Sequence, residues 1–167
     1  SGVVNVSGVS AGNSWQYSSD GGSNWATGTG SSFTLSGDGA KSVQVRQTDN
    51  AGNVSASSGA LAFNLDTTAP TFASATVDGN TLVLTLTEGD ALDSVNAATT
   101  SAFSVLVGGS PVGVDNVVVD AAAGTITLTL AGAVRAGQVV SVSYTDPSAG
   151  NDAAATQDLA GNDMASF

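Results

Sequence analysis

Cysteine and histidine are both missing from the 167-residue sequence, and only three residues, Lys41, Arg46 and Arg135, are basic. Disulfides, thiolate chemistry, zinc sites built on cysteine or histidine, and catalysis through imidazole are therefore excluded. Proline is scarce as well, at 3 residues, and aromatic residues make up only 5%. Because so little catalytic chemistry remains, we expect a protein that is not an enzyme.

Negative charge is what the chain has in excess. Fourteen acidic residues face the three basic ones, which gives a formal net charge of −11 at pH 7. Binding to nucleic acid phosphates or to an anionic membrane surface is therefore not expected. All of the acids are aspartates except Glu88. Short carboxylates favour turns, and they are also typical ligands of hard cations such as Ca²⁺.

Two copies of one short phrase indicate a tandem organisation. Residues 49–53 (Asp-Asn-Ala-Gly-Asn) and 158–162 (Asp-Leu-Ala-Gly-Asn) each follow an alternating run of β-type residues, and an acidic, proline-ended connector separates them. We predict one domain over residues 1–66, a linker over 67–70 and a second domain over 71–167. The glycine of each phrase is expected to take a positive φ, and the aspartate is expected to close a tight turn.

Hydrophobic periodicity predicts an all-β protein, because nearly every segment alternates apolar and polar residues and no long run carries a helical stripe. In the second domain we predict strands near residues 71–77, 81–87, 102–108, 112–120, 125–131, 139–145 and 163–167. Seven short strands with one apolar face each are typical of an immunoglobulin-like β-sandwich. The first domain alternates in the same way, with six or seven strands, so we expect two tandem immunoglobulin-like β-sandwich domains.

Several stretches resemble known bacterial modules. In the second domain they are Leu82–Leu86 (LVLTL), Ala91–Asp93 (ALD), Ser101–Val105 (SAFSV), Ala136–Tyr144 (AGQVVSVSY) and Asp158–Asn162 (DLAGN). In the first domain they are Trp15–Gly22 (WQYSSDGG) and Val43–Asp49 (VQVRQTD). Residues 71–167 resemble the SwmB type of bacterial surface repeat, and residues 13–70 resemble bacterial immunoglobulin-like repeats.

Such modules recur in long secreted RTX-type adhesins, so the resemblance implies a secreted chain at the bacterial cell surface. Cell adhesion or biofilm formation would be its setting, and neighbouring repeat domains of the same chain would be its partners. We expect it to be monomeric and not inserted in a membrane. No basic-then-apolar leader begins the sequence, so a signal peptide would lie outside it. The last predicted strand runs to Phe167 where it should continue, which suggests an excised fragment.

Strand direction predicts where the acids gather. Because antiparallel strands with short connections alternate in direction, the loops after even-numbered strands of the second domain return to the connector. Those loops span 88–101, 121–124 and 146–162, and they carry Glu88, Asp90, Asp93, Asp146, Asp152 and Asp158. The connector adds Asp66. Asp38 of the first domain returns to the same end, and Asp49 lies at the opposite end, where a preceding domain would dock.

We expect Ca²⁺ at this junction. Two carboxylates about 4 Å apart repel by roughly 1 kcal/mol even in water, so clustered acids favour a bound cation. Ca²⁺ takes about 6–8 oxygen ligands in flexible geometry, and no nitrogen or sulfur ligand is offered here. The predicted ligands are Asp66, Glu88, Asp90, Asp93, Asp152, Asp158, Asp49 and Asp38. The alternative that stays open is that these aspartates only form turns by accepting backbone N–H bonds.

Two functions of different classes are compatible with these observations. The first is a calcium-stiffened extracellular spacer that holds the binding tip of a large adhesin away from the cell. The second is a calcium-dependent module that itself binds a glycan or a peptide. Trp15, Tyr17 and Trp25 could form an aromatic platform for sugar, although core packing is the commoner role of such residues. A third interpretation is an S-layer or accessory module of a secreted enzyme.

Overall fold

The computed structural model describes residues 2–167, and its secondary structure is almost entirely β. Among these residues the helical structure is a single 3-10 turn at Thr100–Ala102, and no helix has the length and apolar content needed to cross a membrane. The chain divides into two compact units, one ending at Thr67 and the other beginning at Thr68. The prediction of an all-β protein is confirmed.

The first unit contains six strands within residues 2–67. They are β1 (Gly2–Asn5), β2 (Ser14–Ser18), β3 (Ala26–Thr27), β4 (Ser32–Leu35), β5 (Gly39–Thr48) and β6 (Leu61–Leu65). β1 and β4 form a two-stranded antiparallel sheet, and the other four form an antiparallel sheet in the order β3-β2-β5-β6. The start of β5 pairs with β6 and its end pairs with β2, so this ten-residue strand spans the unit.

Aromatic side chains dominate the core of the first unit. Its buried residues are Trp15, Phe33, Leu35, Val43 and Leu65. The Trp15 indole N–H donates to the Gly30 carbonyl at 3.1 Å, and the rings of Tyr17 and Phe33 stack with centroids 3.8 Å apart. A Cβ atom at Gly28 would come within 2.3 Å of the Trp15 ring, so glycine is required there for the ring to fit.

The second unit contains seven strands arranged as a two-layer sandwich. They are β7 (Thr71–Asp78), β8 (Thr81–Thr87), β9 (Phe103–Val107), β10 (Ser110–Val112), β11 (Val114–Asp120), β12 (Thr125–Leu130) and β13 (Val140–Tyr144). One sheet has the order β11-β12-β8-β7 and the other has the order β10-β9-β13. All strand pairs are antiparallel.

Apolar side chains, most of them aliphatic, fill the space between these two sheets. The buried residues are Leu82, Leu84 and Leu86 on β8, Ile126, Leu128 and Leu130 on β12, Phe103, Val105 and Val107 on β9, and Tyr144 on β13. β8 and β12 are neighbours, so Leu84 lies directly beside Ile126. The other face carries threonines on β12 and threonines with one valine, Val83, on β8, which explains the period-two pattern. Full burial of one such aliphatic side chain contributes about 1.5–3 kcal/mol.

One predicted strand is two strands in the structure. The stretch 112–120 is divided at Gly113 into the end of β10 and the whole of β11, and these lie in different sheets. Val112 and Val114 both pack against the same core from their own sheets. The apolar alternation therefore continues across Gly113 and conceals the change of sheet.

The strand predicted over 163–167 is also not a continuous strand. Asp163 forms only an isolated bridge with Gln157, and Phe167 pairs with Tyr144 at the end of β13. Between them, Met164 donates its N–H to the Thr156 carbonyl, but residues 164–166 lie in no strand. Strand-forming residues do not make a strand by themselves, because each ladder bond needs a neighbouring backbone.

Candidate metal centre

The repeated phrase forms the same turn in both units. In each copy the aspartate carbonyl accepts the glycine N–H, and the aspartate N–H donates to the asparagine carbonyl. The aspartate carboxylate accepts both the backbone N–H and the side-chain amide of the same asparagine. φ is 87° at Gly52 and 80° at Gly161, which confirms the predicted positive values.

The two copies differ in the burial of their aspartate. Asp158 is 0% exposed, whereas Asp49 is partly open to solvent. The hydrogen bonds of Asn53 hold the pKa of Asp49 below its usual value. Asp158 Oδ1 accepts the Asn162 N–H at 2.9 Å, and Asp158 Oδ2 accepts the Asn162 Nδ2 amide at 2.8 Å. These donors are neutral, so the buried carboxylate has no compensating charge from its own turn.

Backbone bonds bring the loop after β8 against the turn that contains Asp158. Leu92 forms an isolated bridge with Asp158, and the Asp93 N–H donates to the Gln157 carbonyl at 2.9 Å. Leu92 is itself fully buried and belongs to the core of the unit, so this contact is anchored by apolar packing. The predicted convergence of the loop after β8 and the loop after β13 is confirmed.

Glu88 faces Asp158 across this contact. A carboxylate oxygen of Glu88 lies within 4.8 Å of one of Asp158. Glu88 Oε1 accepts the N–H of Gly89 at 2.6 Å and that of Asp90 at 3.3 Å. Glu88 Oε2 is buried and has no hydrogen-bond partner within residues 2–167. A buried carboxylate oxygen without a hydrogen-bond donor, close to a second buried carboxylate, is unfavourable unless a cation or a proton is shared between the two groups.

The one basic side chain of the second unit does not reach this pair. Arg135 is its only basic residue, and the adjacent Val134 N–H donates to the Gly79 carbonyl at 2.7 Å. Gly79 precedes β8 whereas Glu88 follows it, and seven residues of strand separate these ends by about 20 Å. That distance exceeds the Debye length of about 8 Å at physiological ionic strength. Within this unit the carboxylate pair therefore lacks a counter-charge.

Asp93 lies in the same loop, but local donors occupy its carboxylate. Oδ1 accepts the N–H groups of Val95 and Asn96 at 2.7 and 3.1 Å, and Oδ2 accepts the amides of Asn96 and Gln157 at 2.9 and 3.1 Å. These bonds, that of the Asn96 side chain above all, lower the pKa of Asp93 to about 2. This is the turn-forming arrangement that the sequence left open. Asp90, in the same loop, is exposed.

A second group of acids lies after β13 and includes Asp163, which was not among the predicted ligands. Asp163 Oδ2 accepts the Asp152 N–H at 2.9 Å, and its Oδ1 is buried without a partner in the described chain. Burial first, and then the charges of Asp146, Asp152 and Asp158, raise the pKa of Asp163. Asp152 accepts the Ser148 hydroxyl, which lowers its pKa. Asp163 was missed because it fell within a predicted strand.

In the first unit, Asp38 precedes β5 and contacts the chain just after β6. Its Oδ1 accepts the Thr67 N–H at 2.6 Å and the Thr67 hydroxyl at 2.7 Å. Asp66 is the preceding residue and directly follows β6. Asp49 lies elsewhere, because Asp38 immediately precedes β5 and Asp49 immediately follows it. Ten strand residues separate the two aspartates by about 30 Å.

The aromatic residues considered for a sugar platform are engaged within the first unit. Trp15 is 4% exposed, and Tyr17 stacks on Phe33. Trp25 is covered by the Arg46 guanidinium, whose central carbon lies 4.1 Å from the ring centroid. The three aromatic side chains therefore pack in the core of the first unit or at its edge.

The fold and its loops define an all-β repeat module whose second unit concentrates carboxylates at the end of β8. A family model with the description "Putative flagellar system-associated repeat" matches residues 65–149, just over half of the chain. The chain therefore belongs to this SWM repeat family, which supports the predicted SwmB-type repeat. The match contains Glu88 and ends before Asp158. No curated protein matches the sequence significantly.

Proposed function

We propose that the chain is a calcium-stiffened spacer: two tandem immunoglobulin-like modules of a large bacterial surface adhesin that hold a binding tip away from the cell. The pair formed by Glu88 and Asp158 carries the proposal. Their oxygens lie within 4.8 Å, Asp158 is fully buried, and Glu88 Oε2 has no donor in the described chain. Ca²⁺ would supply the missing positive charge, and an all-oxygen ligand set suits it better than a transition metal.

Asp66 is the ligand we propose from the connector. In the second unit the Asn162 Nδ2 amide lies 3.5 Å from the Thr68 carbonyl, so the backbone that follows Asp66 runs to the turn that holds the buried carboxylate. An ion bound by Asp66 and by that turn would remove the hinge freedom of the connector. Asp90 and Asp152 are the further carboxylates we propose for completing the coordination.

A spacer also accounts for what the chain lacks and for its family. It needs no catalytic residue, and its partners would be the neighbouring repeat domains of the same chain. The family description associates such repeats with a flagellar system, which suits a chain at the cell surface. A net charge of −11 with 14 acids also suits a calcium-rich extracellular medium, where divalent ions offset the repulsion.

Thermal unfolding with and without calcium tests the metal. We expect Ca²⁺ to raise the melting temperature of the second unit relative to a chelator, because a ligand at about 100 times its Kd stabilises the folded state by about 2.7 kcal/mol. Mg²⁺ at the same concentration is expected to do less, since it needs a tighter octahedral site. An identical melting curve in calcium and in chelator would disprove the proposed centre.

A matched pair of variants localises the ion. Glu88→Gln keeps the oxygen that accepts the Gly89 N–H and removes the charge, so it should abolish the calcium-dependent shift. Asp78→Asn removes the same charge at the end of β7, opposite Thr81 at the start of β8, and should leave the shift intact. If both variants retain the shift, the ion binds elsewhere.

Small-angle scattering tests the spacer separately from the metal. We expect the distribution of interatomic distances to narrow when calcium is added, because the connector loses its freedom. Asp66→Asn should remove this narrowing while the calcium-dependent rise in melting temperature is only reduced. Calcium binding without any change in scattering would retain the metal centre and refute the stiffened spacer.

The glycan- or peptide-binding alternative lacks a supporting observation in residues 2–167. Such a site needs an exposed aromatic face beside a partly open cation, and Trp15, Tyr17 and Trp25 are packed or covered. A glycan array screened with and without calcium distinguishes the two functions. Calcium-dependent binding to any glycan would favour the alternative.

A further inference from the structure

The tripeptide Asn-Val-Ser occurs twice in the first unit, at residues 5–7 and 53–55. No other asparagine of the chain is followed two positions later by serine or threonine. Asn-x-Ser/Thr, with x other than proline, is the acceptor motif for N-linked glycosylation of secreted proteins. Because the two tripeptides are identical in sequence, their surroundings in the folded chain decide whether they differ as acceptors.

In the second tripeptide both polar groups of the motif are already engaged. The Asn53 Nδ2 amide donates to Asp49 Oδ2 at 2.9 Å, and the Ser55 hydroxyl donates to the Ala56 carbonyl at 2.8 Å. The Ser55 oxygen also accepts the Gln47 N–H at 3.1 Å. The tripeptide is exposed, so these bonds, rather than burial, restrict its use. A transferase would have to break them, including the charge-assisted bond to the carboxylate.

In the first tripeptide both polar groups are free. Asn5 and Ser7 are exposed, and neither side chain forms a hydrogen bond within residues 2–167. Val4 and Val6, on either side of Asn5, pack against the core of the first unit. Because successive side chains of an extended chain point to opposite faces, the Asn5 amide is directed away from that core.

The backbone at the first tripeptide is also accessible from one side. Asn5 is the last residue of β1, which pairs with β4 through Asn5 opposite Ser32 and has no second strand neighbour in the described chain. An open strand edge is a surface through which proteins bind extended peptides by main-chain hydrogen bonds. Ser7 lies beyond the strand, in an irregular segment. A transferase can therefore reach the backbone, the amide and the hydroxyl together.

We propose that Asn5 is an acceptor site for N-linked glycosylation by a transferase that uses a nucleotide-activated hexose. Asn5 Nδ2 forms a bond to C1 of the hexose, and the bond between C1 and the diphosphate oxygen breaks, so the nucleoside diphosphate leaves with the electron pair. The amide nitrogen gives one proton to a base of the transferase. The sugar extends from the outer face of β1 and leaves the packing of Val4 and Val6 unchanged. Asn53 stays unmodified while the first unit is folded.

Transfer to the folded 167-residue chain tests the proposal directly. The chain is incubated with UDP-glucose and a soluble bacterial N-glycosyltransferase that recognises Asn-x-Ser/Thr, and occupancy is read by peptide mass spectrometry. We expect one hexose on Asn5, with an occupancy at least about tenfold above that of Asn53, because the bonds of Asn53 must first be broken. An unmodified Asn5, or equal occupancy of both asparagines, would overturn the proposal.

A tryptic digest of the same chain is the unfolded control. Trypsin cleaves after Lys41 and Arg46, so both tripeptides stay intact while the fold is lost. We expect the same transferase to modify both asparagines of the digest to similar extents. A digest modified at Asn5 alone would show that local sequence, and not the fold, selects the acceptor, and would contradict the structural argument.

Two variants of Ser7 test whether the motif itself is recognised. Ser7→Thr keeps the hydroxyl and should retain the modification of Asn5, whereas Ser7→Ala removes the hydroxyl and should abolish it. Both replace an exposed side chain that has no hydrogen-bond partner in the described chain, so the melting temperature reported by tryptophan fluorescence should not change. Modification of both variants, or of neither, would refute Asn5 as an acceptor of this class.

Discussion

The two copies of the Asp-x-Ala-Gly-Asn turn are alike in their hydrogen bonds and unlike in their surroundings. In the first unit Asp49 is partly exposed, and its turn only closes the connection after β5. In the second unit Asp158 is fully buried and faces Glu88. The five residues therefore specify the shape of a loop. Packing of the loop after β8 determines whether that loop can also hold an ion.

The largest difference between the copies is expected from removal of the carboxylate. Asp158→Ala leaves two donors of Asn162 buried without an acceptor and should lower the stability of the second unit by about 2–4 kcal/mol. Asp49→Ala should cost the first unit less, because water can replace the lost acceptor. Tryptophan fluorescence reports the first unit, since it holds both Trp15 and Trp25, and hydrogen exchange reports the second. Equal losses would refute the comparison.

A glycine substitution should affect both copies equally. Gly52→Ala and Gly161→Ala each place a Cβ at a positive φ, and neither Cβ would meet an atom within 4 Å. Only backbone strain remains, so each unit should lose about 1–2 kcal/mol. The same two measurements apply. A much larger loss at Gly161 would mean that the burial of Asp158 also constrains the backbone of its turn.

The stabilities of the two units should change in opposite directions when the pH is first lowered. Hydrogen bonds, those of Asn24 foremost, lower the pKa of Asp20 to about 2. Its stabilisation of the first unit is complete above the unfolded pKa of about 3.9 and is lost as the pH falls towards 2. Burial raises the pKa of Asp163, so the folded second unit binds that proton more tightly and gains stability as the pH falls through the raised pKa.

In the presence of a chelator, the protection of second-unit amides should therefore rise in mild acid. It should fall again at lower pH, where the stabilisation from Asp93, with a pKa of about 2, is lost. The melting temperature reported by tryptophan fluorescence should show no such rise. Asp163→Asn removes the titrating proton and should abolish the maximum. A maximum that persists in this variant would assign the effect to another carboxyl group.

The smallest effect is expected at the variable position of the turn. Leu159 is 68% exposed and stands where the first copy has Asn50. Leu159→Asn should therefore change the unfolding free energy of the second unit by less than about 0.5 kcal/mol. A large change in urea unfolding would show that the turn is not interchangeable between the units.

Local periodicity predicted much of this fold because the two-layer packing imposes it. The strands β7, β8 and β12 follow an apolar–polar alternation that the sequence displays directly, and both turn glycines were identified from the repeated phrase. The change of sheet at Gly113 could not be predicted, since Val112 and Val114 face the same core from different sheets. Sequence pattern reports which face is buried and does not report which sheet supplies it.

The acidic residues were also predicted only in part. Alternating strand direction predicted that Glu88 and Asp158 would meet, because that argument needs only the order of strands. It could not distinguish them from Asp93, whose carboxylate is occupied by Asn96, or identify Asp163, whose burial depends on an irregular loop. Which carboxylates keep an open oxygen is decided by side-chain donors that fold around them.

The repeated turn closes almost entirely on itself, because its carboxylate and amide bond to each other within five residues. A segment with that property can be transferred to another β protein without changes to the surrounding residues. Duplication and later divergence could then leave the hairpin unchanged while its neighbours acquired new chemistry. For protein engineers, the five residues are accordingly a portable connector whose ion-binding partner can be added afterwards from the adjoining loop.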